Sequence, residues 1–144
     1  ENVGKMLQQE RERGLATLQP YQEFASQISI VKEELLEFLN RAKRDGKTVM
    51  GLGASTKGNV ILQYCGITEN ELPCIGDVNP DKFGCYTPGT MIPIVSEKEV
   101  LKQNPDYLLV LPWHFKDFFL SCNHLRGSKL VFPLPKLEII KVGN

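Results

Sequence analysis

The sequence predicts an α/β domain with Rossmann-like architecture, in which helices cover both faces of a mostly parallel sheet and an N-terminal helix precedes it. Short apolar segments alternate with helical patterns along most of the chain, as in βαβ folds. A glycine-rich segment, 51–59, directly follows one apolar segment. A nearly continuous apolar run at 106–111 is typical of a central strand that is buried on both faces.

The first half of the chain predicts a long helix followed by a β-α-β unit. Apolar residues recur at steps of three and four from Tyr21 to Arg44, which predicts an amphipathic helix ending at Asp45-Gly46. The polar segment before Pro20 predicts an arm or linker over 1–20, with the Rossmann-like domain over 21–144. The next segments predict a strand at 48–52, a helix at about 57–64 and a strand at 73–78, joined with right-handed connectivity.

The second half begins with a loop rich in glycine and proline, 79–93, which is long enough to be suspected of carrying function. Ser96 is a predicted N-cap, with Glu97 and Glu99 in the first turn of a short helix to about Gln103. The remaining segments predict a strand at 106–111, a helix at 113–120, and terminal strands at 129–132 and 137–140.

Composition restricts the class of protein more than it indicates a function. The 17 basic and 17 acidic residues cancel, which disfavours nucleic-acid binding. Four cysteines without C-x-x-C spacing or a suitably placed histidine predict free thiols and no metal site. Because no apolar run approaches the length of a membrane span, we expect a cytoplasmic protein. The chain starts without Met, so we also expect a fragment of a longer product.

The glycine-rich loop is the leading candidate for a binding site. It follows a strand, where glycines allow a tight turn and the next helix presents free N–H groups to a phosphate or carboxylate. Counted from Gly51, a G-x-G-x-x-G fingerprint fails because Thr56 replaces its third glycine, and a P-loop fails because Lys57 precedes Gly58. A plain strand-helix turn with a Ser/Thr N-cap therefore stays open as an alternative. The candidate residues here are Gly51, Gly53, Ala54, Ser55, Thr56, Lys57, Gly58 and Asn59.

Further candidates follow other predicted strands. Asp77 is placed to accept hydrogen bonds from a ribose, although Asp77-x-Asn79-Pro is equally a common way to open a turn. Thr87 and Thr90 offer hydroxyls on a Pro-Gly turn, or simply form a type II turn. Trp113 either stacks on a base or packs in the core.

His114 is a possible donor or base, but no partner for it is visible in the sequence. We therefore assign no catalytic residue and no metal ligand.

Six segments together resemble one family over about residues 20–140, in matching order and spacing. The family is the C-terminal domain of S-adenosylmethionine-dependent sugar-nucleotide C-methyltransferases. The segments that carry the resemblance are Gly51-Leu52-Gly53-Ala54-Ser55-Thr56-Lys57-Gly58-Asn59, Gln63-Tyr64-Cys65-Gly66-Ile67, Asp77-Val78-Asn79-Pro80-Asp81-Lys82, Tyr86-Thr87-Pro88-Gly89-Thr90, Ile92-Pro93-Ile94 and Leu111-Pro112-Trp113-His114-Phe115.

The resemblance implies a division of labour within a longer enzyme. Full-length members have a zinc-binding N-terminal domain and a central methyltransferase domain that binds S-adenosylmethionine and carries the catalytic residues. This chain matches the remaining domain, so we expect it to bind no cofactor itself. We expect it instead to pack on the methyltransferase domain and to help enclose a nucleoside-diphosphate sugar. Lys57 and the amides near Ser55 and Thr56 are the candidates for its pyrophosphate. Relatives more often carry Ala-Trp-Asn where this chain has Pro112-Trp113-His114.

Two other hypotheses compete with this one. In the first, the chain is a free-standing regulatory domain that binds a nucleotide or dinucleotide, such as a nicotinamide cofactor or a coenzyme A derivative. In the second, it is a degenerate Rossmann domain that only supports its neighbour. The missing third glycine argues against ordinary NAD binding.

Overall fold

The structure is a computed structural model that describes residues 2–143, and its centre is a six-stranded sheet with strand order β3-β2-β1-β4-β5-β6. The first five strands in this order are parallel to their neighbours, and β6 pairs antiparallel with β5. The elements are α1 (Asn2–Glu12), α2 (Gln19–Arg44), β1 (Val49–Leu52), α3 (Thr56–Cys65), β2 (Ile75–Asp77), β3 (Ile94–Ser96), α4 (Glu97–Lys102), β4 (Tyr107–Val110), α5 (Lys116–Ser121), β5 (Lys129–Phe132) and β6 (Glu138–Lys141).

Two hydrophobic clusters cover the two faces of the sheet, which confirms the predicted fold class. Successive strand residues point to opposite faces, so Val49 and Leu109 join one cluster while Met50 and Leu108 join the other. Helices α2 and α3 cover the first face, and α4 and α5 cover the second. The helical residues buried on the first face are Leu35, Phe38, Leu39, Ala42, Leu62 and Cys65.

The predicted long helix and most strands are confirmed, with small shifts at their ends. Helix α2 begins at Gln19, before Pro20, because a proline in the first helical turn has no hydrogen bond to lose. The predicted Ser96 N-cap is present as a full capping box with Glu99. The helix predicted at 113–120 begins instead as a 3₁₀ turn, Trp113–Phe115, and continues as α5.

Strand β3 was not predicted. The interpretation of 79–93 as a loop and of Ser96 as a helix cap left no room for a strand of three residues. β3 pairs in parallel with β2 and leads directly into α4, so Ser96 is both its last residue and the cap of the helix.

The strand order places a crevice where the chain connections diverge. From β1 the chain proceeds through β2 to β3 on one side, then returns to β4 on the other side of β1. Loops that leave the carboxyl ends of β1 and β4 therefore point away from each other, which is where open α/β sheets bind ligands. Among residues 2–143, no helix is both long and apolar enough to cross a bilayer.

Candidate functional site

A cleft of about 370 Å³ lies at the carboxyl ends of β1, β2 and β4. It is bounded by the glycine-rich loop, by the turn after β2, and by the segment that follows β4. Five of the predicted site residues line it: Gly53, Ala54, Ser55, Asp77 and Asn79. The walls that sequence reasoning missed come from Val78, Lys82, Glu97, Pro112, Phe115, Phe118, Phe119, Cys122 and His124.

The glycines of the loop are required by close packing. Gly53 has φ +80°, and a Cβ added there would lie 2.7 Å from Pro112 Cδ. A Cβ on Gly58 would lie 2.6 Å from the Cβ of Leu111, at the end of β4. Gly51 lies within β1, where an added Cβ would meet Ile75 Cγ1 at 2.6 Å. Gly53 thus makes the tight turn, and Gly58 lets helix α3 approach the sheet.

Because of these packing roles, the comparison with the dinucleotide fingerprint G-x-G-x-x-G should start at Gly53, two residues later than the sequence analysis placed it. Counted from Gly53 instead of Gly51, the third glycine is present as Gly58, and Ser55 stands at the second glycine. In dinucleotide-binding loops the second glycine lets the backbone approach a pyrophosphate. Ser55 has an extended backbone here, and its hydroxyl accepts a hydrogen bond from the Gly58 amide at 3.0 Å as the N-cap of α3.

Asp77 clamps the loop against the end of β2. Its side chain is only 7% exposed, and its Oδ2 accepts a hydrogen bond from the Ala54 amide at 2.8 Å. Its Oδ1 accepts one from the Asn79 amide at 2.8 Å. The ammonium of Lys82 lies 3.0 Å from Asp77 Oδ2 and donates to the Ala54 carbonyl at 2.8 Å. Both oxygens proposed for a ribose are therefore engaged within the protein.

Lys82 is the main residue that sequence reasoning missed. It lies in the 3₁₀ turn Pro80–Lys82, which Asn79 caps by accepting a hydrogen bond from the Asp81 amide at 3.0 Å. This turn brings Lys82 back over Asp77, five residues earlier, and leaves its side chain 39% exposed beside the cleft. The only sequence signal for this contact was an acidic residue and a lysine on either side of an Asn-Pro turn.

The other polar residues predicted in the glycine-rich loop lie outside the cleft lining. Thr56 and Lys57 are exposed on the first turn of α3. Asn59 is half-buried, and its Oδ1 is buried without a hydrogen-bond partner among residues 2–143.

Thr87 and Thr90 are buried in their own turn. Their hydroxyls lie 2.6 Å apart, and the Thr87 hydroxyl also accepts a hydrogen bond from the Ile92 amide at 2.9 Å. The turn packs on helix α3, where Gln63 donates to the Pro88 carbonyl at 2.8 Å. This segment therefore does not line the cleft.

Beyond β4, phenylalanines line the cleft where Trp113 and His114 had been the candidates. Trp113 packs against the second hydrophobic cluster, and His114 is exposed beside the Phe115 ring. Phe115 and Phe118 line the cleft while 57% and 62% exposed. Large aromatic surfaces left open to solvent in this way provide a flat apolar platform.

The remaining wall of the cleft carries a contact between a histidine and a carboxylate, and a thiol. His124 Nε2 lies 2.7 Å from Glu97 Oε1. Burial and, to a smaller extent, the Glu97 carboxylate raise the pKa of the Cys122 thiol, so it is protonated at neutral pH and is a poor nucleophile. Within residues 2–143, no three His, Cys, Asp or Glu side chains are arranged to hold a metal ion. The arrangement is suited to holding a ligand with one charged and one flat apolar part.

Comparison with known proteins shows which family the chain is similar to. Residues 1–135 match a family model described as the C-methyltransferase C-terminal domain. The chain is also 34% identical over 150 residues to the C-methyltransferase NovU of Streptomyces niveus. That alignment covers 99% of this chain and 34% of NovU, so the chain spans about a third of the length of this relative.

Proposed function

We propose that this chain, which belongs to the family of C-methyltransferase C-terminal domains, holds part of a nucleotide-linked sugar while the methyl transfer takes place elsewhere in a longer polypeptide. The family confirms the resemblance that six sequence segments carry. The sugar-nucleotide substrate, and the part that this domain plays in binding it, are our proposal.

The single observation that carries the proposal is the composition of the cleft. The ammonium group of Lys82 lies beside the crevice, and one of its three N–H donors is not used by its hydrogen bonds to Ala54 and Asp77. Apart from Asp77 and the Glu97–His124 contact, the other walls are largely apolar and include two exposed phenylalanine rings. A nucleoside diphosphate presents an anionic diphosphate next to a flat base, which is the pairing that this cleft can accept. In our proposal Lys82 faces the diphosphate, and Phe115 and Phe118 contact the base.

Lys82 replaces Lys57 in this role because of where the two side chains lie. The exposed Lys57 does not line the cleft, whereas Lys82 does. The Ala54 amide donates a hydrogen bond to Asp77, and Lys82 donates one to the Ala54 carbonyl. Both bonds hold the loop backbone, so the ligand meets a preformed wall.

S-adenosylmethionine is the methyl donor that the family implies for the whole enzyme. The residues of this chain do not fit it well, because Asp77 at the end of β2 already accepts hydrogen bonds from Ala54, Asn79 and Lys82. We therefore propose that the donor binds in the rest of the polypeptide, and we assign any zinc to that part as well. We likewise propose a cytoplasmic location.

No observation favours a free-standing dinucleotide-binding domain. The side chain of Ser55 occupies the place where a dinucleotide loop needs glycine, and Asp77 is not free to bind a ribose diol. A purely structural role remains as the outcome that the following test would reveal.

Steady-state kinetics of the full-length enzyme with Lys82→Met and Lys57→Met test the proposal. A hydrogen bond to a charged group contributes about 1.5–3 kcal/mol, so we expect Lys82→Met to raise KM for the sugar nucleotide about tenfold or more. We expect no change in KM for S-adenosylmethionine, and no effect of Lys57→Met. Equal KM values for the sugar nucleotide in both variants and the wild type, with Lys82→Met still folded by its melting temperature, would indicate a purely structural domain.

A further inference from the structure

A second apolar surface lies on the opposite face of the sheet from α4 and α5, between helices α2 and α3. We name it the helical groove. It has a volume of about 420 Å³, and Phe24, Ile28, Val31, Val60, Ile61 and Tyr64 form most of its lining. Phe24 and Val60 are 66% and 65% exposed, and Tyr64 is 48% exposed. Contiguous exposed apolar side chains of this kind mark interaction surfaces.

The groove continues the core-facing stripe of α2 beyond the core. Leu35, Phe38, Leu39 and Ala42 are the buried residues of this 26-residue helix, and all of them lie in its second half. In the first half, Phe24, Ile28 and Val31 follow the same spacing of three and four that leads to Leu35. The first half of α2 thus carries a face suited to a hydrophobic core, although Ile28 and Val31 are only half-buried and Phe24 is exposed.

Helix α1 presents further exposed apolar side chains before α2. Its apolar residues Val3, Met6 and Leu7 lie at i, i+3 and i+4, and they are 69%, 60% and 50% exposed. A helix of 11 residues that buries none of its side chains is marginal in water, because helices this short gain most of their stability from packing. The apolar side chains of α1 and of the first half of α2 are therefore exposed for contact with a partner.

We propose that the helical groove is the docking surface for the preceding part of the same methyltransferase polypeptide. This inference rests on the proposed function, in which the chain is one domain of a longer enzyme. The matched family is a C-terminal domain, and the alignment leaves about two thirds of NovU outside the match. Any such preceding segment would connect through α1, which comes immediately before the helix that forms one wall of the groove.

Covalent connection selects this occupant over a second copy of the chain. A linked partner has an effective concentration in the millimolar range when its linker is short, well above that of a free second molecule at ordinary protein concentrations. The groove also offers almost no polar atoms, so its partner must present an apolar face of its own.

Thiol labelling of the full-length enzyme tests the proposal without depending on activity. Val60→Cys reports on the α3 wall of the groove and Phe24→Cys on the α2 wall. Ile30→Cys is the matched control, because Ile30 lies on α2, is 46% exposed and does not line the groove. Alkylation rates at each introduced thiol are measured by peptide mapping and divided by the rate in denaturant. We expect both groove thiols to react at least about tenfold more slowly than Cys at position 30.

Two outcomes would overturn the proposal. Equal rates at all three positions would mean that the groove stays open in the whole enzyme. Protection that disappears on dilution would mean that a second molecule covers it. Either result leaves the Lys82→Met kinetics unaffected, so a failure of this inference is distinguishable from a failure of the proposed function.

Discussion

Replacing Asp77 with Asn should weaken the clamp on the glycine-rich loop, although the two side chains have nearly the same shape. Every partner of the Asp77 carboxylate is a donor: the amides of Ala54 and Asn79, and the ammonium of Lys82. An Asn must turn its NH₂ group toward one of these donors. The less costly orientation gives up only the hydrogen bond from Asn79.

The expected cost follows from those contacts. A buried N–H left without an acceptor costs about 1–3 kcal/mol, and the two remaining hydrogen bonds lose the strength that a charged acceptor provides. We therefore expect Asp77→Asn to lower the free energy of unfolding by about 2–3 kcal/mol, measured by urea denaturation of the 144-residue chain. Asp81→Asn is the control, because Asp81 is exposed in the same turn and should change stability by less than about 0.5 kcal/mol. Equal stabilities of the two variants would refute the clamp.

Two further predictions concern the packing of α3 and the far end of the sheet. Gly58→Ala gains up to about 1 kcal/mol of helix propensity, but it forces a methyl group to within 2.6 Å of Leu111 Cβ. We therefore expect the free energy of unfolding to fall by about 1–2 kcal/mol in the same urea assay. An unchanged or raised stability would be inconsistent with this packing. Hydrogen bonds from Thr48 and Lys47 hold the pKa of Asp106 at about 2. This pKa lies below the value of about 3.9 in the unfolded chain, so the ionised carboxylate stabilises the fold. The stability that Asp106→Asn removes should therefore be largest above pH about 3.9 and should vanish as the pH falls toward about 2. A difference in stability that does not change with pH would contradict this prediction.

Local patterns in the sequence were sufficient to predict most of the fold. The spacing of apolar residues predicted α2, and the run at 106–111 predicted a central strand, because both signals come from neighbouring residues. Ser96 and Glu99 indicated the start of α4 in the same way. Strand β3 escaped prediction because only Ile94 and Val95 lie between Pro93 and the helix cap, and two residues carry too little periodicity.

The site was less predictable because its residues meet only through the order of the strands. Phe115 and Phe118 face the glycine-rich loop because β4 lies next to β1, and no pattern near either residue indicates that neighbour. Thr87 and Thr90 were expected at the open edge, but their hydroxyls pair with each other because the turn folds onto α3. The alignment of the loop with the dinucleotide fingerprint depended on Gly58, whose role is visible only in its close approach to Leu111, the residue after β4.

An NMR titration of the 144-residue chain with a nucleoside-diphosphate sugar would test the central claim most directly. Weak binding is measurable in this way, and amide shifts report its location. We predict saturable shifts that cluster at 53–55, 77–82 and 115–119, that disappear in Lys82→Met, and that are absent with S-adenosylmethionine. Shifts caused by S-adenosylmethionine at this cleft, with none caused by the sugar nucleotide at millimolar concentration, would contradict the account.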